Sequence, residues 1–201
     1  MKQLLRNLWS QLHVAGTVSL ASLFLAWLAI LFLLQDNLSL STLMAVGAFL
    51  LDSADGFIAR KLNRESEFGR QLDGMIDAIN YSLLAALVIS QQLLDGLLGI
   101  VVGFVVLATG ILRLISFNQE GYQTKDDVLY YRGVTTCHLS LLAFIFLVIE
   151  QFWSLPDWVV AIVITIVALL QLSTLKTRKT GALLFWIPVS LLIAIGGFLW
   201  L

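Results

Sequence analysis

Four aspartates carry the chemistry this chain is equipped to do. They lie in residues 52–60 (DSADGFIAR) and 69–77 (GRQLDGMID), two segments separated by eight residues. Asp52, Asp55, Gly56 and Ala59 fall at i, i+3, i+4 and i+7, which is one face of a helix; Gly69, Asp73 and Asp77 fall at i, i+4 and i+8, again one face. Two antiparallel helices joined by the intervening loop bring the acidic faces together. Four carboxylates crowded this way cannot all stay ionised without compensating positive charge. Clusters of oxygen ligands suit hard cations, Mg2+ or Mn2+, and two divalent ions balance four negative charges. A two-metal site of that kind stabilises the attacking and leaving oxygens of a displacement at phosphorus. The small residues Gly56, Ala59 and Gly69 let a ligand approach the backbone closely, and Arg60 is placed to pair with a phosphate.

The rest of the sequence must hold these acids in an unusual medium. Of 201 residues, 59% are hydrophobic and only 12% are charged. A water-soluble domain so apolar could not cover itself with polar surface, which excludes soluble nucleic-acid binding. Apolar runs fall at about 16–34, 38–58, 73–93, 96–117, 133–152, 157–174 and 181–201, each near the roughly 20 residues that cross a bilayer as helix. The expected fold is therefore all-α, a polytopic bundle of six to seven spans over residues 15–201. Residues 1–14 place Leu4, Leu5, Leu8, Trp9 and Leu12 at helical spacing beside Lys2 and Arg6. That pattern predicts an amphipathic helix lying on the membrane surface. A lone Cys137 excludes an internal disulfide framework.

Charge fixes an expected orientation. With the N-terminus inside, all 12 Lys and Arg residues fall on the inner side, and the opposite loops hold only Asp36, Asp95, Glu150 and Asp157. The positive-inside rule then places the N-terminus, the basic loops and the four aspartates at the cytosolic face. A divalent-cation transporter is the alternative of another class. It would distribute acids through the membrane depth, whereas these cluster at one end of their spans.

Asp52, Asp55, Gly56, Ala59, Arg60, Gly69, Asp73 and Asp77 match the pattern D-x2-D-G-x2-A-R-x8-G-x3-D-x3-D at every fixed position. The stretch resembles the signature of the CDP-alcohol phosphotransferase family. The resemblance implies a transferase in which an alcohol attacks a CDP-linked lipid, usually CDP-diacylglycerol, and CMP leaves. It implies that Asp52, Asp55 and Asp73 hold two metals, and that Asp77 touches the second metal and acts as general base. Asp52, Gly56, Ala59, Arg60 and Gly69 would line the nucleotide and pyrophosphate site, and the assembly would be a homodimer.

Three further segments bear on the acceptor. Residues 19–30 (SLASLFLAWLAI), 112–118 (LRLISFN) and 130–136 (YYRGVTT) resemble T-x-x-N-L-x-x-G-x-x-A-I, L-R-L-A-R-F-N and Y-x-x-G-L-P segments of integral-membrane phosphatidylserine synthases. The chain departs from them at Ser19, Ser22, Ala26 and Ser116, and it lacks the proline. An acceptor that itself carries phosphate, such as glycerol 3-phosphate or inositol phosphate, needs about two more cations beside the metals. Arg113 and Arg132 are the candidates for that position. Serine needs one cation for its carboxylate, and serine is the acceptor the resemblance favours. His138 is read as a packing or interfacial residue, and Arg113 has the alternative of merely snorkelling to the interface.

Overall fold

The computed structural model describes residues 14–61, 67–120, 123–125 and 128–178. Six helices carry the fold among these residues: α1 Val14–Leu33, α2 Leu38–Lys61, α3 Glu67–Leu93, α4 Gly96–Glu120, α5 Thr136–Glu150 and α6 Asp157–Leu170. The first four each contain an apolar stretch long enough to cross a membrane; α5 and α6 are shorter apolar helices. The helical membrane architecture expected from the sequence is therefore present. The expected surface helix (all but Val14) and the apolar run 181–201 lie outside the described residues.

Short turns reverse the chain where the polar breaks fall. Asp36 takes a left-handed conformation, φ 56°, and the Asn37 side chain accepts the Leu40 N–H at 3.1 Å to start α2. Gly96 opens α4 at φ 58°, and Pro156 precedes α6. Helix α3 begins at Glu67, six residues before its apolar run, so the acidic segment is itself helical and not part of a loop. Its hydrogen bonding widens to π-helical at Ala78–Leu83 and again at Ile89–Leu93.

Small residues set the spacing between helices, as expected where lipid offers no hydrophobic drive to associate. Ser22 Oγ of α1 donates to Ala48 O of α2 at 2.8 Å, and Ser41 Oγ of α2 donates to Ala29 O of α1 at 2.9 Å. Asn80 Nδ2 of α3 donates to the same Ser22 Oγ at 2.7 Å, tying three helices at one buried point. Along α4, Gly103 and Gly110 face α3. A Cβ on Gly103 would lie 2.9 Å from Ala86 O, and one on Gly110 would overlap the Ser82 side chain. Around these contacts a continuous core includes Ala29, Leu33, Leu84, Ala85, Val88, Val106, Leu139, Phe144 and Ile164.

Three short strands, β1 Gln123–Lys125, β2 Val128–Arg132 and β3 Lys176–Arg178, form an antiparallel sheet in the order β1-β2-β3. Tyr130 pairs with Arg178 and Arg132 with Lys176. At the end of β2, Gly133 lies against the Gln171 carbonyl with φ 73°, and its N–H donates to Leu175 O at 2.7 Å. A side chain would fit neither that conformation nor that gap. This small sheet, which the apolar pattern did not announce, joins the segment between α4 and α5 to the one that follows α6.

Replacing Gly110 by Leu should force α4 away from α3 and destabilise the protein by about 1–3 kcal/mol, the usual range for overpacking. The check is thermal unfolding in detergent, with Phe104→Leu as control. Phe104 is 68% exposed on the same helix, and its replacement should leave the midpoint unchanged.

Candidate active site

The two acidic segments meet as their spacing requires. Asp52 and Asp55 on α2 and Asp73 on α3 each offer a carboxylate oxygen, and these atoms all lie within 4.8 Å of one another. Asp55 is only 3% exposed. Asp52 accepts a 2.6 Å hydrogen bond from the Tyr81 hydroxyl through Oδ2, while its Oδ1 is buried with no hydrogen-bond partner. An anionic oxygen left this way is costly unless a ligand completes it. The set fits a hard divalent cation, being all oxygen, anionic and convergent.

Asp77, one turn along α3 from Asp73, feels the charges of Asp52, Asp73 and Arg113. Buried carboxyl groups that feel one another's charge are relieved by a proton or a cation between them. The fourth acid thus stands beside the three that converge, near the arginine of α4, and is not among the oxygens that lie within 4.8 Å of one another.

Arg113 is not a snorkelling residue. It is 6% exposed, its guanidinium lies 5.3 Å from the centroid of the Phe117 ring, and its charge acts on Asp77, Cys137 and His138. Helix α4 can place it there because Gly110, one turn earlier, lets α4 approach Ser82 of α3 and Thr136 of α5 closely. Five residues after Arg113, the Asn118 amide packs against Gly74, where a Cβ would come within 2.8 Å of Nδ2.

The start of α5 completes this side. Thr135 Oγ1 is hydrogen-bonded to His138 Nδ1, and Cys137 Sγ lies 3.3 Å from the same hydroxyl. The charges of Asp77, Arg113 and Asp52 reach Cys137. His138, set aside in the sequence reading, thus lies within the electrostatic reach of Arg113. Sequence reasoning did not single out Tyr81 or Cys137 and set His138 aside, while Asn118 and Thr135 fell within the segments read for the acceptor. Tyr81 had a signal, because Asp73, Asp77 and Tyr81 stand at i, i+4 and i+8.

Gly56 and Gly69 lie on α2 and α3 within the same hairpin. The backbones of Ala59 and Arg60 continue α2, and that of Arg132 ends β2; their side chains lie outside the described part of the structure.

With this geometry in place, comparison with known proteins is decisive at the level of family. The model for CDP-alcohol phosphatidyltransferases matches residues 12–175, which include every residue of the acidic signature. The chain belongs to that family. Similar proteins include an archaetidylserine synthase of Methanothermobacter thermautotrophicus, 29% identical over 116 residues, covering 56% of this chain and 50% of that protein. A CDP-diacylglycerol–glycerol-3-phosphate 3-phosphatidyltransferase of Aquifex aeolicus is 34% identical over 89 residues, 43% of this chain and 50% of that protein. A CDP-diacylglycerol–serine O-phosphatidyltransferase of Bacillus subtilis is 31% identical over 110 residues, 54% of this chain and 62% of that protein. The matched segments thus span roughly half to three fifths of these relatives. Family and apolar helices together make the chain an integral membrane protein.

If the carboxylates hold divalent ions, Mn2+ should raise the unfolding midpoint and EDTA should reverse the gain. A ligand present at 100 times its Kd stabilises by about 2.7 kcal/mol. Asp55→Asn should lose most of that increment, measured by thermal unfolding with and without Mn2+.

Proposed function

We propose that this protein transfers the phosphatidyl group of CDP-diacylglycerol to the hydroxyl of L-serine, giving phosphatidylserine and CMP. The observation that carries the reading is the convergence of Asp52, Asp55 and Asp73, from two helices, in the signature of the family. Two divalent cations, Mg2+ or Mn2+, are held in this reading by Asp52, Asp55, Asp73 and Asp77. Bound there, they neutralise the pyrophosphate and stabilise charge on the entering and leaving oxygens.

The protein's own residues supply the rest. Asp77 accepts the proton of the serine hydroxyl as its oxygen bonds to the phosphorus that carries diacylglycerol. The bond from that phosphorus to the CMP oxygen breaks, and CMP leaves with the electron pair. Gly56, Ala59 and Gly69 line the nucleotide and pyrophosphate side, where the absence of bulky side chains admits the ligand, and Arg60 pairs with a phosphate there. Arg113, with Arg132 as a second candidate, receives the acceptor on the other side of Asp77. The single described buried basic side chain suits the one carboxylate of serine. The charge asymmetry of the loops supports a site at the cytosolic interface, where a lipid nucleotide and a water-soluble alcohol meet.

The second reading keeps the reaction and changes the acceptor to glycerol 3-phosphate, which the name of the Aquifex aeolicus relative favours. The same preparation separates them. Full-length protein in detergent with CDP-diacylglycerol and Mn2+ should convert labelled serine to phosphatidylserine with equimolar CMP. Efficient use of glycerol 3-phosphate with no product from serine would overturn the serine assignment. Asp77→Asn should lower the rate by about 10²–10⁴-fold, the range for a general base, without changing the unfolding midpoint much. Ion flux through proteoliposomes with no CMP release would instead support a transporter.

A further inference from the structure

The Tyr81 hydroxyl is bonded to a carboxylate of the acidic cluster, yet the family signature ends at Asp77. Its donation to Asp52 Oδ2 at 2.6 Å leaves Oδ1 of the same group buried and without a partner. The carboxylate is thus held by one oxygen and offers the other. The phenol is itself fixed: Tyr81 is 7% exposed, and its ring meets Phe49 edge to face at 6.3 Å and 74°. Phe49 lies on α2 one turn before Asp52, so the wall that orients the ring and the carboxylate that it orients share one helix. Next to Tyr81, Asn80 is tied through Ser22 to α1. Both residues lie in the π-helical turn Ala78–Leu83, an irregularity that recurs at functional sites.

We propose that Tyr81 is a positioning residue for the metal centre, holding the Asp52 carboxylate so that Oδ1 is presented to a divalent cation. The inference rests on the metal-site reading above. Partners of this kind, which orient a ligating group without touching the metal, commonly change metal affinity by about 10–100-fold when removed.

The test is Mn2+ binding to the purified full-length protein without lipid or acceptor, followed by the electron paramagnetic resonance signal of free Mn2+. Tyr81→Phe keeps the ring against Phe49 and removes only the donor. It should weaken Mn2+ binding about tenfold or more, and raise the Mn2+ concentration giving half-maximal activity by a similar factor. The rate at saturating Mn2+ should stay within about threefold of wild type, since the metal once bound restores the same site. In an Asp52→Asn background Tyr81→Phe should have no further effect on residual Mn2+ binding, because the two residues act as one unit. Phe49→Leu, which keeps the phenol but loosens its wall, should weaken binding in the same direction by about two- to fivefold. Wild-type affinity in both Tyr81→Phe and Phe49→Leu would overturn the assignment of Tyr81 while leaving the metal site standing. A wild-type protein that binds no Mn2+ would overturn the site and the proposal together.

Discussion

Repulsion among carboxylates is the constraint on which the rest of this structure depends. Three charged oxygens within 4.8 Å of one another repel by about 3.5 kcal/mol per pair at an effective dielectric near 20. Together those pairs approach the whole net stability of an ordinary domain, about 5–15 kcal/mol. Two helices would not hold such a cluster for packing's sake. Counter-charge must enter, and the fold has kept an open place for it: an unpartnered oxygen of Asp52 and an arginine brought from another helix to Asp77.

The surrounding architecture reads as the means of keeping that arrangement rigid. Serine, alanine and asparagine contacts fasten α1, α2 and α3 beneath the acids, so the hairpin cannot splay to relieve its own charge. Glycines on α4 bring its backbone against α3, which is what delivers Arg113 inward and not toward the interface. The sheet of β1, β2 and β3 and the bend at Gly133 then fix the start of α5, where Thr135, Cys137 and His138 stand beside that arginine. Under the proposed function, reaction and acceptor choice use different parts of one site: α2 and α3 for the shared chemistry, α4 and α5 for the partner.

The acidic half of the site was legible because helical periodicity alone puts residues at i, i+3 and i, i+4 on one face. The other half was hidden by specific physical circumstances. Helix α4 is apolar on nearly every side, so no amphipathic pattern could say whether Arg113 points inward. That decision is made by Gly103 and Gly110, whose partners lie on another helix. Tyr81 stood in phase with Asp73 and Asp77, but a tyrosine inside an apolar run is not told by spacing alone from one that only packs. The strand pairing of Tyr130 with Arg178 joins residues nearly fifty positions apart, with no alternating run to advertise it. His138, bonded to Thr135 three residues before it, looked ordinary because the charge of Arg113 that reaches it comes from another helix, which local spacing does not show.

Two metal ions held by the carboxylates of α2 and α3 are the central requirement of the proposed reaction. The most direct measurement is the electron paramagnetic resonance spectrum of Mn2+ bound to the protein in the presence of CDP-diacylglycerol. Two magnetically coupled Mn2+ ions per chain, lost when Asp52, Asp55 and Asp73 are all replaced by asparagine, is the predicted result. A single uncoupled ion, or coupled ions that survive the triple replacement, would contradict it.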